Sequence, residues 1–365
     1  MRTRHSIIVM GLIALSALTL QADDLLIRAD AAGSGTVVIG AAGTPTNDGY
    51  AVMTCTDLAA DAWSFAASAD RWPAAGTNWT LACNETPAFY RVRQAPRAEL
   101  VSFELQSSFD YLTVVGIVVA AGANGFISVN YPVDVYRLTY YTFDHRGRST
   151  LASGAVCVPS GPAQAPLLSY QHGTVFERTE APSNPLVEEQ GLGITFASEG
   201  YVVAMPDYLG LGTNSPPLHP YVHARSEAVA CVDMLRATKT FMADELSLTH
   251  DGRLFLMGYS QGGHATLALQ KELELHHAGE LPVTASAPMA GPHDLSGTMA
   301  DAMLSNTPYD SPGYVAYLLF GYNAVYGFFD SPSEILKPAY DDELEAVLDG
   351  EHGGSEVDAV MPASG

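Results

Sequence analysis

The chain has 365 residues, 47% hydrophobic and 16% charged, which excludes intrinsic disorder and leaves room for a large core plus an appendage. Seventeen basic against 40 acidic residues give a formal net charge of −23. That surface repels phosphate backbones and anionic headgroups, so nucleic acid is excluded as a partner and a neutral small molecule fits better; plain solubility accounts for most of the acidity.

In chain order, Met1-Arg2-Thr3-Arg4-His5 precedes an apolar run from Ile7 to Leu20, followed by Gln21-Ala22-Asp23-Asp24. A basic start, a short apolar middle and a small residue before a polar stretch predict a signal peptide over 1–22, cleaved near Ala22. The run is shorter than the ~20 residues a membrane span needs, and no other segment has that length. The mature chain is therefore expected to be exported, periplasmic or extracellular, without a transmembrane segment.

Residues 23–97 are rich in Ala, Gly and Thr and hold Trp63, Trp72 and Trp79, all the tryptophans of the chain. Alternation around turn residues, as in Asn78 to Cys83 and then Phe89-Tyr90-Arg91-Val92-Arg93, predicts a small β-rich module, with the tryptophans read as core. It resembles the Trp-containing modules ending in Phe-Tyr-Arg-Val that occur in secreted bacterial proteins. Gln94 to Arg97 reads as a linker. Export permits disulfides, and Cys55 and Cys83 share this module, but four cysteines allow three pairings and spacing does not choose. Cys157 and Cys231 read as buried thiols. No CxxC or His/Cys ligand spacing is present, so no metal and no cofactor is expected.

From 98 to 365 strands alternate with helices. Tyr136–Phe143, Ala152–Val158, Pro166–Tyr170, Tyr201–Met205, Arg253–Met257 and Val283–Ala287 read as strands. Ala224–Met242 and Gln261–His277 read as helices. Alternation of this kind predicts a mostly parallel sheet covered by helices on both faces. The decisive segment is RLFLMGYSQGGHAT, Arg253 to Thr266. Gly-x-Ser-x-Gly alone is weakly specific, but here an apolar strand ends at Gly258 and a helix begins after Ser260, the context a nucleophile elbow requires. Gly258 and Gly262 omit β-carbons where strand and helix approach closely, and Ser260 sits at a helix N-terminus that favours developing negative charge. The bland alternative is a glycine-rich turn with an inert serine. Tyr170 to Thr174 (YQHGT) follows another strand and predicts the second half of an oxyanion hole, with the backbone amides of Thr174 and Gln261 as donors. His172 reads as a structural loop residue.

YQHGT, MPDYLGLG (Met205 to Gly212), HPYVHARSEA (His219 to Ala228) and GYSQGGHAT, in that order, resemble the secretory lipase family and related bacterial exported α/β-hydrolases, over a match running from about Tyr136 to the end. The resemblance implies an α/β-hydrolase fold with a helical cap, here about 296–350, and hydrolysis of a small-molecule ester or lipid through an acyl-enzyme on Ser260. Asp207 precedes the serine, against the order nucleophile, acid, histidine, and so reads as wiring of its loop. The family places its acid and histidine beyond a segment resembling Val283 to His352, so the chain reads as truncated before them. The rival is a triad completed by Asp294 and His352. The aromatic stretch Tyr314 to Phe329 reads as cap helix, with an apolar wall for an acyl group as a further role. Two other functions fit the same features: a secreted serine peptidase of this fold, and a non-catalytic hydrolase-like binding protein.

Overall fold

The computed structural model describes side chains over 97–365, except at 146–147, 186, 213–217, 306–310, 339, 341–342 and 362–365, and over 1–96 only the backbone of the strands. The chain divides into two units, Met1–Arg97 with Phe143–Ser149, and Ala98–Thr142 with Thr150–Gly365.

In the first unit the strands form two four-stranded sheets. One runs Leu20–Ala22, Leu25–Ala32, Thr36–Gly40, Asn78–Ala82, and the other Val9–Met10, Phe89–Ala95, Gly49–Cys55, Ser64–Phe65; every neighbouring pair is antiparallel. The side chains of Cys55 and Cys83 and of the three tryptophans, and so any bridge or core role for them, lie outside the described residues.

The second unit is built on seven strands: β1 (Leu100–Phe109), β2 (Val133–Phe143), β3 (Ser149–Pro159), β4 (Gln164–Gln171), β5 (Val202–Pro206), β6 (Thr249–Tyr259) and β7 (Val283–Met289). They lie in the order β7-β6-β4-β5-β3-β2-β1. β5, β4, β6 and β7 are mutually parallel, whereas β3 runs antiparallel to β5 and β1 antiparallel to β2. Strands flanked by helices on both faces must be apolar on both sides, and β5 is buried at every position. Alternation sends successive residues to opposite layers. Leu167, Ala204, Val156 and Leu256 join one core with Cys231, Leu235, Phe241 and Leu269. Leu168, Val203, Cys157 and Met205 join the other with Val114, Val118 and Ile194.

The covering helices are α1 (Tyr111–Ala120), α2 (Glu188–Glu199), α3 (Ala224–Asp244) and α4 (Gln261–Glu272). Spacing alone indicated α3 and α4, and the same spacing ran α4 on to His277, where the structure closes with a π-turn over Leu273–His277. β1, α1 and α2 were not foreseen. α1 lacks a clear period because apolar residues surround it on all sides, and α2 because its buried face is filled largely by polar and small residues, Gln190, Gly193, Thr195 and Ser198 among them. Beyond β7 the described segments are helical: a short turn Ala300–Met303, then α5 (Gly313–Tyr326), α6 (Asp341–Val347) and α7 (Gly354–Val360). α5 contains the aromatic stretch up to Tyr326, with Phe328 and Phe329 beyond its end, and its Ala316, Tyr317 and Phe320 are buried against Phe176, Tyr221, Leu344 and Leu348.

The order of strands fixes where chemistry can occur. The chain leaves β4 to one side to form β5 and returns on the other side to form β6. Adjacent strands whose connections depart in opposite directions open a crevice at their carboxyl ends. β4 ends at Gln171 and β6 at Tyr259, with Gln171 paired to Gly258.

Candidate active site

Ser260 stands at that crevice. Its backbone has φ 58° and ψ −123°, outside the ordinary regions for an L-residue, and it caps α4. A conformation of this kind costs on the order of 1–3 kcal/mol and persists only when its surroundings enforce it. Several contacts do so here. The Ser260 N–H donates to the Met289 carbonyl at the end of β7 (3.1 Å), and the Ser260 carbonyl accepts from Gly263 (2.9 Å) and His264 (3.2 Å) as α4 begins. A β-carbon at Gly258 would run into the carbonyls of Gly262 and Gln171, and one at Gly262 would run into the Gln171 carbonyl itself. The two glycines let α4 start directly against the end of β4. Side chains there would push the helix off the sheet and relax the turn.

The tight approach of α4 to β4 also draws the loop after Gln171 toward the serine. Among the described residues, neither the Thr174 amide nor the Gln261 amide donates a hydrogen bond. The Thr174 hydroxyl is hydrogen-bonded to the Tyr221 phenol (2.8 Å), the Tyr317 hydroxyl donates to the Val175 carbonyl (3.3 Å), and the Phe176 ring stacks on Tyr317 with centroids 4.7 Å apart. Tyr221 and Tyr317 stack in turn at 4.6 Å. Helix α5 therefore grips the loop after β4 by an aromatic stack, in which Tyr221 takes part although no motif marked it out. A small recess lined by Phe176, Gly210, Leu218, His219 and Tyr317 lies beneath this stack and does not reach Ser260.

His172 is fully buried, with its ring stacked on Tyr208 (4.3 Å) and Nδ1 against the Gly173 carbonyl (2.7 Å). Asp207 is also fully buried. One carboxylate oxygen accepts from the Ser153 hydroxyl (2.5 Å) and the other from the Ser183 amide (2.8 Å), and burial raises its pKa. Its bonds tie β3 and the segment before α2 to the loop after β5.

A second set of charged groups packs under the elbow. The fully buried Glu227 of α3 accepts from the Gln261 side-chain amide at one oxygen (3.0 Å) and pairs with His264 Nδ1 at the other (2.7 Å). Burial pushes the Glu227 carboxyl up, but His264 and the Gln261 amide more than offset this and hold it below its ordinary value; the same pairing lifts His264 against its own burial. The Gln261 amide nitrogen also lies 2.6 Å from His219 Nε2. Burial drops the His219 pKa to about 4, so the ring is neutral, with its Nδ1–H on the Leu209 carbonyl (2.6 Å) and Nε2 as acceptor. The signal for this cluster lay in HPYVHARSEA and GYSQGGHAT, where one carboxylate stands in an otherwise apolar helix face, but nothing in the linear order joined the two segments.

Asp294 and His352 are placed otherwise. Asp294 is exposed and caps the turn after β7, accepting from the amides of Gly297 (3.1 Å) and Thr298 (2.8 Å) and from the Thr298 hydroxyl (3.0 Å). His352 pairs with Asp349 through Nδ1 (2.9 Å). Neither is hydrogen-bonded to the other or to Ser260, and no described histidine or carboxylate bonds the Ser260 hydroxyl. Cys157 and Cys231 are buried free thiols, and no group of three or more potential metal ligands occurs among the described residues.

A mostly parallel sheet with a strained serine on the strand-to-helix turn at its switch point defines the α/β-hydrolase class. Comparison with known proteins narrows this. The secretory lipase family signature matches residues 191–347. A solved structure from Legionella pneumophila, described as a hydrolase, is 31% identical over 72% of this chain and 71% of its own, with a TM-score of 0.66. The rice cell wall degrading esterase LipA from Xanthomonas oryzae is 27% identical over 74% of this chain and 71% of its own, with a TM-score of 0.65. Candida antarctica lipase A shares the fold at 18% identity and a TM-score of 0.50, over 73% of this chain and 59% of its own. No curated protein sequence matches the chain. The chain belongs to the secretory lipase family, which places it among hydrolases acting on esters.

Proposed function

We propose that the protein is a secreted serine hydrolase that cleaves carboxylic esters through an acyl-enzyme on Ser260. The observation that carries this is the backbone of Ser260, held at φ 58° on the turn between β6 and α4. Such strain has no packing benefit for a small polar residue, and a glycine would adopt it at no steric cost. The Ser260 oxygen attacks the ester carbonyl, the alcohol leaves, and water releases the acid from the acyl-enzyme in a second step. The amides of Gln261 and Thr174 hold the oxyanion, each donor being worth about 3 kcal/mol in such sites. The N-terminal dipole of α4 adds to them. The aromatic face of α5 supplies an apolar wall for the acyl group. The substrate is a small-molecule ester or lipid, and the leader over 1–22 directs export. Among the described residues no helix is long and apolar enough to cross a membrane.

The test is covalent labelling by a fluorophosphonate together with hydrolysis of p-nitrophenyl acyl esters and aminoacyl anilides. Labelling is expected in the intact chain and is expected to vanish in Ser260→Ala. Faster cleavage of the anilides overturns ester specificity, and labelling that survives Ser260→Ala overturns the nucleophile.

A further inference from the structure

The Glu227–His264 pair lies where a charge matters for the chemistry above it. Glu227 is 0% exposed and is hydrogen-bonded to the side chain of Gln261, the residue whose backbone amide is proposed above as an oxyanion donor. Gln261 itself is fully buried, and its carboxamide has one available orientation. Turned the other way, its oxygen would face the Glu227 carboxylate and its nitrogen would lose two acceptors. In the orientation seen, the Gln261 Oε1 has no partner, a cost accepted in a buried site to keep the amide on Glu227 and His219. His264 is one turn further along the same helix and closes the arrangement from the other side of the carboxylate.

A buried carboxylate beside the first turn of α4 opposes an oxyanion forming at that turn unless a cation offsets it. We infer that Glu227 and His264 are positioning residues: Glu227 fixes the Gln261 carboxamide and so the oxyanion-donating first turn, and His264 cancels the carboxylate's charge beneath the nucleophile. This rests on Ser260 being the nucleophile. The other titratable groups around the pair are His219 and Tyr208 from the loop after β5, Cys231 on α3, Tyr322 on α5 and His293 beside Gly291. Burial keeps His219 uncharged and raises the pKa of Cys231, Tyr208 and Tyr322, so none of these replaces the His264 charge near neutral pH.

The experiment measures fluorophosphonate labelling of the full chain at about pH 6, below the ordinary histidine value that His264 exceeds, separating the probe's KI from the maximal labelling rate. His264→Gln leaves the anion uncompensated and is expected to lower the maximal rate at least tenfold with KI unchanged. Glu227→Gln can still accept from the Gln261 side chain through its carboxamide oxygen and can donate from its nitrogen to a neutral His264 Nδ1, without the charge, and is expected to stay within about threefold of wild type. The double variant E227Q/H264Q is expected to recover to that level. Equal rates in all three variants, or a double variant no better than His264→Gln, overturn the charge role. If His264→Gln does not fold, the wild-type rate against pH decides. It is expected to fall as His264 loses its proton, relative to Glu227→Gln, and parallel profiles overturn the inference. A wild type that is labelled no faster than Ser260→Ala overturns the nucleophile and this role together.

Discussion

The two segments that flank the end of β7 are organised in opposite ways. On one side, around the turn from Gly258 to His264, Ser260 is held at positive φ, Glu227 packs beneath it without solvent, and the neighbouring His219 is neutral, its pKa lowered to about 4. On the other side, from Asp294 to His352, the acidic groups sit at the surface and serve their own turns, Asp294 as a helix cap and Asp349 as a partner for His352. Ordinary folding explains the second arrangement, since local caps of this type are found at most helix starts. It does not explain the first, where strain and buried charge are held against their cost. That contrast, more than the glycine–serine motif, supports the proposal that the chemistry lies at Ser260.

The contrast can be broken most severely at Gly262. Gly262→Ala forces a β-carbon into the Gln171 carbonyl, a backbone group that cannot rotate away. It is expected to destabilise the hydrolase unit by about 3 kcal/mol in urea denaturation, the upper end of overpacking costs. An unchanged midpoint would mean that the elbow is slack.

The buried pair should show itself in stability against pH. Glu227 is held below its ordinary 4.5, so its contribution is present above that value and is lost as pH falls through the lower folded pKa. His264 is held above 6.5, so its contribution is complete below that value and is lost as pH rises through the higher folded pKa. Stability is expected to plateau between these limits and decline on both sides, and the double variant E227Q/H264Q should flatten both declines relative to wild type.

Ser260→Gly sharpens the comparison from the other direction. Removing the β-carbon at φ 58° is expected to raise stability by about 1 kcal/mol while abolishing labelling, the signature of strain kept for function. A loss of stability would place Ser260 among structural residues. Tyr221→Phe removes the phenol bonded to Thr174 and is expected to cost about 1 kcal/mol, with a several-fold slower labelling rate.

The smallest effects belong to the far segment. Asp294→Ala and His352→Ala are expected to lower the melting temperature slightly and to leave Ser260 labelling unchanged. A large fall in labelling for both would reinstate them as partners of the serine, against the bonds they make here.

The sequence by itself determined the class of sheet, the serine and its flanking glycines, because each depends on residues adjacent in the chain. An apolar run ending in Gly-Tyr-Ser-Gln-Gly followed by a helical pattern is a local statement, and β6 and α4 lie where it puts them. The core periods of β4, β5 and α3 are local in the same sense. Helices without a period escaped, α1 because an apolar surface on all sides carries no direction and α2 because polar and small residues make up much of its buried face. Only the tertiary structure decided which distant groups meet. Pairing of Gln171 with Gly258 sets the loop after β4 against the elbow, and α3 crossing α4 carries Glu227 to Gln261 and His264. The contact of Tyr221 with Thr174 likewise depends on a loop returning across the sheet. These meetings arise from strand order and helix crossing, which hydrophobic periodicity does not encode. The Ser260 hydroxyl is legible in the chain, but the charge balance beneath it is a property of the fold.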